Sequence, residues 1–378
     1  MKKSFLKRIL SSGFFKETSD SVVGVDIGSS SIKVVQLRQE GGTAVLETYG
    51  EIALGPYANI EIGRATSLSV TKKAEALVDV IREAEITAPS AAFSIPFAAS
   101  LVMLIDLPKV SDRELTKMVP LEARKYIPVP IGEVMLDWFV IPQNDQDPRT
   151  KEDSTEPKKS NPLGKRRVLL AIIHKEVLQE HTSIIEKANL VNDFFEIEIF
   201  SAIRATLGQN LKPSMLIDIG AATTKIYIVE YGIVRTSHLV NRGSQDVTIG
   251  ISKALNMSML HAEELKRKQG LDRQPEGPDV EKVALLTLDY TFSEANRVLL
   301  NYQKKYGKNV GEVTLSGGGA LMKGIKKLAE RHLQTSVKLG NPFSIVETPA
   351  FLEQALKEAG PSFVVAIGLA LRKLGDQN

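Results

Sequence analysis

The sequence predicts an α/β protein built from two similar core domains, and three observations lead to this prediction. Strand-like apolar runs and helix-like amphipathic runs alternate along the whole chain, which is typical of α/β folds. The chain has 378 residues, which is too many for one ordinary hydrophobic core. One strand–turn–strand motif also occurs twice, about half a chain length apart, and this indicates a duplicated domain.

The repeated motif is an apolar strand, an Asp-x-Gly turn with small polar residues, and a second apolar strand. Its first copy covers Val23–Lys33, and its second copy covers Leu216–Lys225. A single Asp-x-Gly turn is common and would predict only a β-turn, but two copies predict that each domain opens with the same hairpin. The equivalent residues are Asp26 and Asp218, Gly28 and Gly220, Ser31 and Thr223, and Lys33 and Lys225.

The turns of both hairpins have the composition of a phosphate-binding site. Glycine lets a ligand approach the backbone, and successive N–H groups in a tight turn bind anions. The second turn offers fewer side-chain donors, because it has alanines where the first has serines. The predicted contacts are Gly28, Ser29, Ser30 and Ser31 in the first turn, and Gly220, Ala221 and Thr223 in the second.

The charged residues of the hairpins have separate predicted roles. Lys33 supplies a positive charge for a phosphate. Asp26 and Asp218, at strand ends that face each other, could hold a hydrated Mg²⁺ through outer-shell contacts. We interpret Lys225 as a relic of the duplication that points at solvent, and we assign it no phosphate contact.

A third motif, Val313–Gly324, is a strand that runs into three glycines and then a helix. A glycine turn at the start of a helix can pack against an adenine or face a phosphate. Two phosphate hairpins followed by this turn resemble the superfamily of actin, the heat-shock ATPases and the sugar kinases. The resemblance implies an actin-like ATPase fold of duplicated ribonuclease-H-like domains that binds ATP and Mg²⁺, with Gly317, Gly318 and Gly319 beside the adenine.

Three further residues have two interpretations each. By the same resemblance, Glu263 and Lys266 reach the ribose and the base, although their spacing also fits a solvated ion pair on a helix. Glu198 lies where relatives carry a Glu or Gln at the start of a connecting helix, so it is our candidate for orienting a water against the γ-phosphate. Its alternative is the polar face of a strand that enters that helix.

Within the superfamily, the chain resembles the PilM family of type IV pilus assembly proteins, which is related to FtsA. The likeness runs from about residue 20 to residue 375. The segments that carry it are Val23–Leu37, Leu121–Pro130 with Glu133–Trp138 in an inserted subdomain of the FtsA type, and the connecting helix Glu198–Ala205.

These motifs predict the following domain organisation. The chain has a basic tail, a first core domain with an inserted subdomain, and a second core domain with a mostly helical insertion. A charged, proline-containing stretch at 143–167 predicts a disordered loop or linker. We interpret it as the tip of a hairpin between the strand-like runs Val134–Ile141 and Arg167–Ile173, and a domain boundary is the alternative. The predicted bounds are 1–20 for the tail; 21–90, 191–212 and 361–378 for the first core domain; 91–190 for the inserted subdomain; 213–244 and 310–360 for the second core domain; and 245–309 for the helical insertion.

The family resemblance implies a scaffold on the cytoplasmic face of the inner membrane. It implies that the partner is a cytoplasmic N-terminal peptide of the PilN type, and that the complex contacts the pilus motor ATPase and inner-membrane platform proteins, with homo-oligomers possible. We expect ATP binding with weak or absent hydrolysis. The alternatives are a polymerising, membrane-associated protein of the FtsA type and, third, a small-molecule kinase. The chain ends directly after a helix, which disfavours FtsA with its separate amphipathic helix.

Composition excludes several other classes of function. The net charge of +3 is small for this length, so we expect no nucleic-acid partner of the electrostatic kind. The chain has no cysteine, which excludes disulfides and thiolate zinc sites. No apolar run is long enough for a membrane span. The tail has apolar residues at Phe5, Leu6, Ile9 and Leu10, which fit a weak membrane anchor or a frayed end.

Overall fold

The computed structural model describes residues 21–141, 164–208, 210–272 and 279–377. The predictions for the basic tail and for most of the loop at 143–167 lie outside these residues. Within the described chain, Ala99–Leu178 forms one compact unit, and the remaining residues form a second unit that contains both core sheets. No helix of the described residues is long and apolar enough to cross a bilayer.

Thirteen strands and nine α-helices make up the described chain. The strands are β1 (Ser21–Ile27), β2 (Ser31–Glu40), β3 (Thr43–Ala53), β4 (Ser90–Ile95), β5 (Ser100–Pro108), β6 (Val134–Val140), β7 (Lys165–His174), β8 (Val191–Ile197), β9 (Ser214–Ile219), β10 (Thr224–Glu230), β11 (Ile233–Val240), β12 (Glu312–Ser316) and β13 (Val337–Leu339). The helices are α1 (Val70–Glu83), α2 (Asp112–Ala123), α3 (Lys175–Lys187), α4 (Glu198–Thr206), α5 (Ser244–Ala254), α6 (Met259–Gln269), α7 (Val280–Tyr306), α8 (Ile325–Leu333) and α9 (Glu353–Gln377).

The two core sheets have the same topology, as the repeated hairpin predicted. The strand order is β3-β2-β1-β4-β8 in the first sheet and β11-β10-β9-β12-β13 in the second. In each sheet the first three strands are antiparallel, and the next two run parallel to the opening strand. Both opening strands are almost fully buried, as expected for central strands covered on both faces.

Helix α9 covers the first sheet at very short range. Gly24 of β1 lies against the backbone of Ala366, and Gly368 lies against the carbonyl group of Ser201 in α4. Any side chain at either glycine would overlap a backbone atom, so these glycines permit the close contact. The first core domain was predicted to resume at residue 361, whereas α9 begins at Glu353 and contains Pro361.

The compact inserted unit is shorter than the predicted range 91–190. Strand β4 pairs with β1 and β8, so it belongs to the first core sheet. Ile184 and Ile185 of α3 also pack in the core of that sheet. The unit itself contains the three-stranded sheet β5-β7-β6 and α2, which begins at Ser111 with a capping box formed with Glu114.

The helical insertion of the second core domain contains α5, α6 and α7. Helix α7 begins at Val280, with Asp279 as its N-cap. The buried residues Ala284, Leu288 and Phe292 of α7 share a core with the second sheet. The insertion therefore packs as part of that domain and brings α5 and α6 to the edge of the cleft described next.

Candidate functional site

A cleft of about 360 Å³ lies between the two core domains. Its walls are the two Asp-x-Gly hairpins, the triple-glycine turn after β12, and residues of α5 and α6. The structure brings every predicted site residue to this cleft: Asp26, Gly28, Ser29, Ser30, Ser31, Lys33, Glu198, Asp218, Gly220, Ala221, Thr223, Glu263, Lys266, Gly317, Gly318 and Gly319. It also places Glu51, Lys225 and Arg267 there, which the sequence did not assign.

The first hairpin directs Lys33 toward the neighbouring strand. The N–H of Gly28 donates to the carbonyl oxygen of Ser31 at 3.0 Å and closes the turn. The ammonium of Lys33 donates to Ser31 Oγ at 2.6 Å and pairs with Glu51 at 3.1 Å. Glu51 lies directly opposite Lys33 in β3, which explains this pairing. Asp26 instead accepts a 2.7 Å hydrogen bond from the hydroxyl of Ser94.

The second hairpin has the same closing bond, from the N–H of Gly220 to the carbonyl oxygen of Thr223 at 3.0 Å. The environment of its lysine is different. The ammonium of Lys225 lies 2.9 Å from Asp218 Oδ2 and 2.9 Å from Glu198 Oε2. The interpretation of Lys225 as a solvent-facing relic is therefore wrong. Burial acts to lower the pKa of Lys225, but Asp218 and Glu198 outweigh it and raise the pKa above its ordinary value.

Both turns leave backbone donors available to an anion. Within the described part of the chain, the N–H groups of Ser29, Ser30, Ala221 and Ala222 donate to no protein acceptor. Ser29 is exposed and the other three residues are half-buried. Consecutive N–H groups without protein partners in a turn form an anion-binding nest. The arrangement fits phosphate groups on both sides of the cleft.

Glu198 is held at both carboxylate oxygens. Its Oε1 accepts a hydrogen bond from the N–H of Phe97 at 2.5 Å, and its Oε2 accepts one from Lys225. The side chain is buried and lies in the first turn of α4, so the alternative, the polar face of a strand that enters that helix, is wrong. Burial raises the pKa of Glu198, and the nearby carboxylates of Asp218 and Asp26 act in the same direction, against the charge of Lys225.

Glu196, two residues earlier, does not line the cleft. Its carboxylate pairs with Arg204 at 2.8 Å and with Arg372 at 2.9 Å, and it accepts a hydrogen bond from Ser201. Burial acts to raise the pKa of Glu196, but the two arginines outweigh it and hold the pKa below its ordinary value. The pairing of β8, α4 and α9 through this residue is structural.

Glu263 and Lys266 form a buried ion pair at 2.6 Å, so the alternative of a solvated pair is wrong. Thr248 donates to Glu263 at 2.7 Å and accepts from Lys266 at 2.9 Å. Arg267 contacts the other oxygen of Glu263 at 2.7 Å. Their contact with a ribose or base remains a prediction, and both side chains line the cleft.

The triple-glycine turn has a backbone that requires its first glycine. Gly317 has φ 82° and ψ 165°, a conformation that residues with a Cβ rarely adopt. Its N–H donates to the carbonyl oxygen of Pro361 at 2.7 Å, which joins the turn to α9. An added Cβ at Gly318 would meet no atom within 4 Å, so this glycine faces open space in the cleft. A flat ligand could pack there.

The carboxylates fit a metal only together with a ligand. No group of three or more acidic or histidine side chains in the described residues could hold a metal ion. Asp26 and Asp218 could each contact the water shell of a Mg²⁺ ion whose direct ligands are phosphate oxygens. Such a contact would require another ligand, such as a phosphate group, to hold the ion directly.

Comparison with known proteins identifies relatives of this chain. The family model described as type IV pilus assembly protein PilM matches residues 24–374. The chain is also 27% identical over 253 residues to cell division protein FtsA of Helicobacter pylori strain J99, a match that covers 57% of this chain. The matched part of this chain spans 50% of the length of that relative.

Two solved structures share the fold. A PilM-PilN type IV pilus biogenesis complex matches with a TM-score of 0.76 and 22% identity, covering 93% of this chain and 98% of that one. The ethanolamine utilization protein EutJ of Carboxydothermus hydrogenoformans matches with a TM-score of 0.53 and 15% identity, covering 94% and 91%. The predicted actin-like fold with duplicated core domains is confirmed.

Proposed function

Because this chain belongs to the PilM family of type IV pilus assembly proteins, we propose that it is a nucleotide-gated scaffold of the pilus machinery. In this proposal it binds ATP with Mg²⁺ and docks on the inner-membrane platform through a PilN-type peptide. A competence or secretion system of the same kind would use it in the same way.

The observation that carries the nucleotide proposal is the pair of hairpins with unpaired N–H groups on one cleft. The first hairpin belongs to the first core sheet, and the second hairpin belongs to the second. A phosphate chain that contacts Ser29 and Ala221 would therefore bridge the two domains. The cleft volume of about 360 Å³ lies within the range of small-molecule sites, roughly 300–1,000 Å³.

The remaining residues supply the other parts of a nucleotide site in this proposal. Lys33 offsets phosphate charge, and Gly318 leaves space for the adenine. Bound Mg²⁺ would neutralise phosphate charge, with Asp26 and Asp218 in contact with its water shell. Glu198 would orient a water, but both of its oxygens already accept protein hydrogen bonds. We therefore expect slow hydrolysis, in keeping with a switch that responds to occupancy.

Nucleotide binding is tested by calorimetry with ATP and MgCl₂. Lys33→Ala should weaken ATP binding by about tenfold or more, since a hydrogen bond to a charged group contributes about 1.5–3 kcal/mol. Asp26→Ala removes only a contact with the water shell of the metal and should weaken ATP binding by about threefold, which is less than 1 kcal/mol. Lys338→Ala is the matched control. Lys338 lies on β13, the edge strand of the second sheet, where it forms an exposed ion pair with Glu312, and it does not line the cleft. Wild-type protein that binds no ATP would refute the proposal.

The partner proposal concerns the inserted unit. Its sheet order places β5 and β6 at the two edges of the described sheet, where an extended peptide could add a strand. The stretch that resembles the family's inserted subdomain also exposes three large apolar side chains, Leu121, Tyr126 and Met135.

We expect a PilN-type cytoplasmic N-terminal peptide to bind wild-type protein in the presence of ATP. Leu121→Asp should weaken this binding, whereas Leu286→Asp, the same change at an even more exposed leucine on α7, should not. Calorimetry with the peptide measures both. Equal affinities for the two variants would place the peptide elsewhere on the protein.

The similarity to FtsA supports a second candidate, a polymerising and membrane-associated protein. Sedimentation with ATP and lipid vesicles separates the two functions. Filaments at micromolar protein would favour the second candidate, and a protein that stays in the supernatant would favour the scaffold.

A further inference from the structure

The two phosphate hairpins contain equivalent lysines that make different contacts. Lys33 and Lys225 occupy the same position, each directly opposite the aspartate of its own hairpin. On the other side, Lys33 faces Glu51 of β3, whereas Lys225 faces Leu239 of β11. Because an apolar residue stands where the first hairpin has a carboxylate, the ammonium of Lys225 turns to Asp218 and Glu198.

This arrangement places a fixed cation beside one of the two aspartates that would contact a metal. The side chains of Lys225, Asp218 and Glu198 are all nearly buried, with exposures of 13%, 12% and 10%. An ammonium 2.9 Å from Asp218 offsets the charge that would otherwise attract a divalent ion. It also repels such an ion at short range, because charges interact strongly in a partly dry site.

We propose that Lys225 is a built-in cation that replaces much of the contribution of Mg²⁺ on the Asp218 side of the cleft. The proposal rests on the proposed nucleotide function and deepens it. In this arrangement the charge of Lys225 already balances the charge of Asp218 before a nucleotide phosphate reaches the second hairpin. ATP binding by the wild-type protein should accordingly depend only weakly on divalent metal.

The test compares ATP binding in excess MgCl₂ with binding in excess EDTA, by calorimetry. For the wild type we expect the two dissociation constants to agree within about threefold, which is less than 1 kcal/mol. Lys225→Met leaves Asp218 and Glu198 without their cation, so the same ratio should rise to about tenfold or more. Lys225→Arg keeps the charge and should retain the weak metal dependence.

Two further proteins keep the test decisive. Lys225→Met removes a buried charge, so its folding is checked by thermal melting. The double variant Lys225→Gln, Glu198→Gln removes one positive and one negative charge and is therefore a charge-balanced replacement. That double variant still leaves Asp218 unpaired and should also show a raised metal dependence. Lys338→Met removes one lysine of an exposed ion pair and should behave as the wild type.

The outcomes separate the two proposals. Wild-type protein that binds no ATP in either condition overturns the nucleotide function and this inference with it. ATP binding that requires Mg²⁺ to the same degree in the wild type, in Lys225→Met and in the Lys225→Gln, Glu198→Gln double variant overturns only this inference. A purely structural role for Lys225 would lower the melting temperature and leave the ratio of the two dissociation constants unchanged.

Discussion

The conformation of Gly317 yields a prediction whose size can be worked out from the structure. In Gly317→Ala, the alanine must adopt φ 82° and ψ 165°, a region open almost only to glycine, at a cost of about 1–3 kcal/mol. Its Cβ would also lie 2.5 Å from Asp218 Oδ1 and from the carbonyl oxygen of Ile219. Such overpacking typically costs a further 1–3 kcal/mol or so. We expect the free energy of unfolding to fall by at least about 2 kcal/mol.

The neighbouring residue provides a matched control. Gly318→Ala has the same chemical change one position later, but its Cβ meets no atom within 4 Å, and stability should stay within about 0.5 kcal/mol. Gly318→Leu should also fold normally and yet weaken ATP binding, because its side chain would fill the space assigned to the adenine.

Urea unfolding followed by far-UV circular dichroism measures these differences. Tryptophan fluorescence is unsuitable, since the chain has one tryptophan, Trp138, and it lies in the other compact unit. Equal stabilities of Gly317→Ala and Gly318→Ala would refute the argument from backbone conformation. Unchanged ATP affinity in Gly318→Leu would instead refute the position assigned to the adenine.

Three other predictions concern stability. Glu196→Gln should lower the free energy of unfolding by about 3–5 kcal/mol at neutral pH, because it removes the fully buried carboxylate charge that pairs with Arg204 and Arg372. Since the folded-state pKa of Glu196 lies below 4.5, its stabilisation is complete above that pH and is lost as the pH falls, so the variant should show a flatter acid limb in urea titrations. Glu198→Gln should raise the melting temperature at pH 7 more than at pH 4, because its raised folded-state pKa makes the charged form costly at neutral pH. Gly368→Ala should destabilise the contact of α9 with α4, whereas Gly375→Ala, in open space on the same helix, should not, as calorimetry would show.

The parts of the site that the sequence predicted are those encoded by a few adjacent residues. Each hairpin is closed by a hydrogen bond between residues three apart, from Gly28 to Ser31 and from Gly220 to Thr223. The composition of such a turn is sufficient to predict its conformation and its free N–H groups. The duplication then predicted that the two turns belong to equivalent sheets.

The role of Lys225 could not be predicted in this way. That role depends on Leu239 of β11, which lies opposite Lys225 of β10, and on Glu198, which begins a helix of the other core domain. One signal was present in the sequence, since the third strand of the first hairpin carries Glu51 at the position where the second carries Leu239. Pairing the third strands in register would have shown that only one lysine has an acidic neighbour there.

Domain boundaries were less predictable than motifs for a related reason. Strand β4 is a short apolar run, and nothing in its residues shows whether it pairs with β1 or belongs to the unit that follows it. The first core domain was predicted to resume at residue 361, yet α9 begins at Glu353 and contains Pro361, whose carbonyl oxygen accepts the N–H of Gly317. In both places the tertiary contact decides the bounds, and the local sequence does not.

The contact between Lys225 and Glu198 also joins the two core domains at the floor of the cleft. Lys225 lies on β10 of the second sheet, and Glu198 is anchored by the N–H of Phe97 beside the first sheet. A phosphate that reached Lys225 would compete with Glu198 for the same ammonium, while the hairpin N–H groups would draw both domains toward the phosphate. Nucleotide occupancy would then exchange one link between the domains for another, which is the property that a switch between two domain arrangements requires.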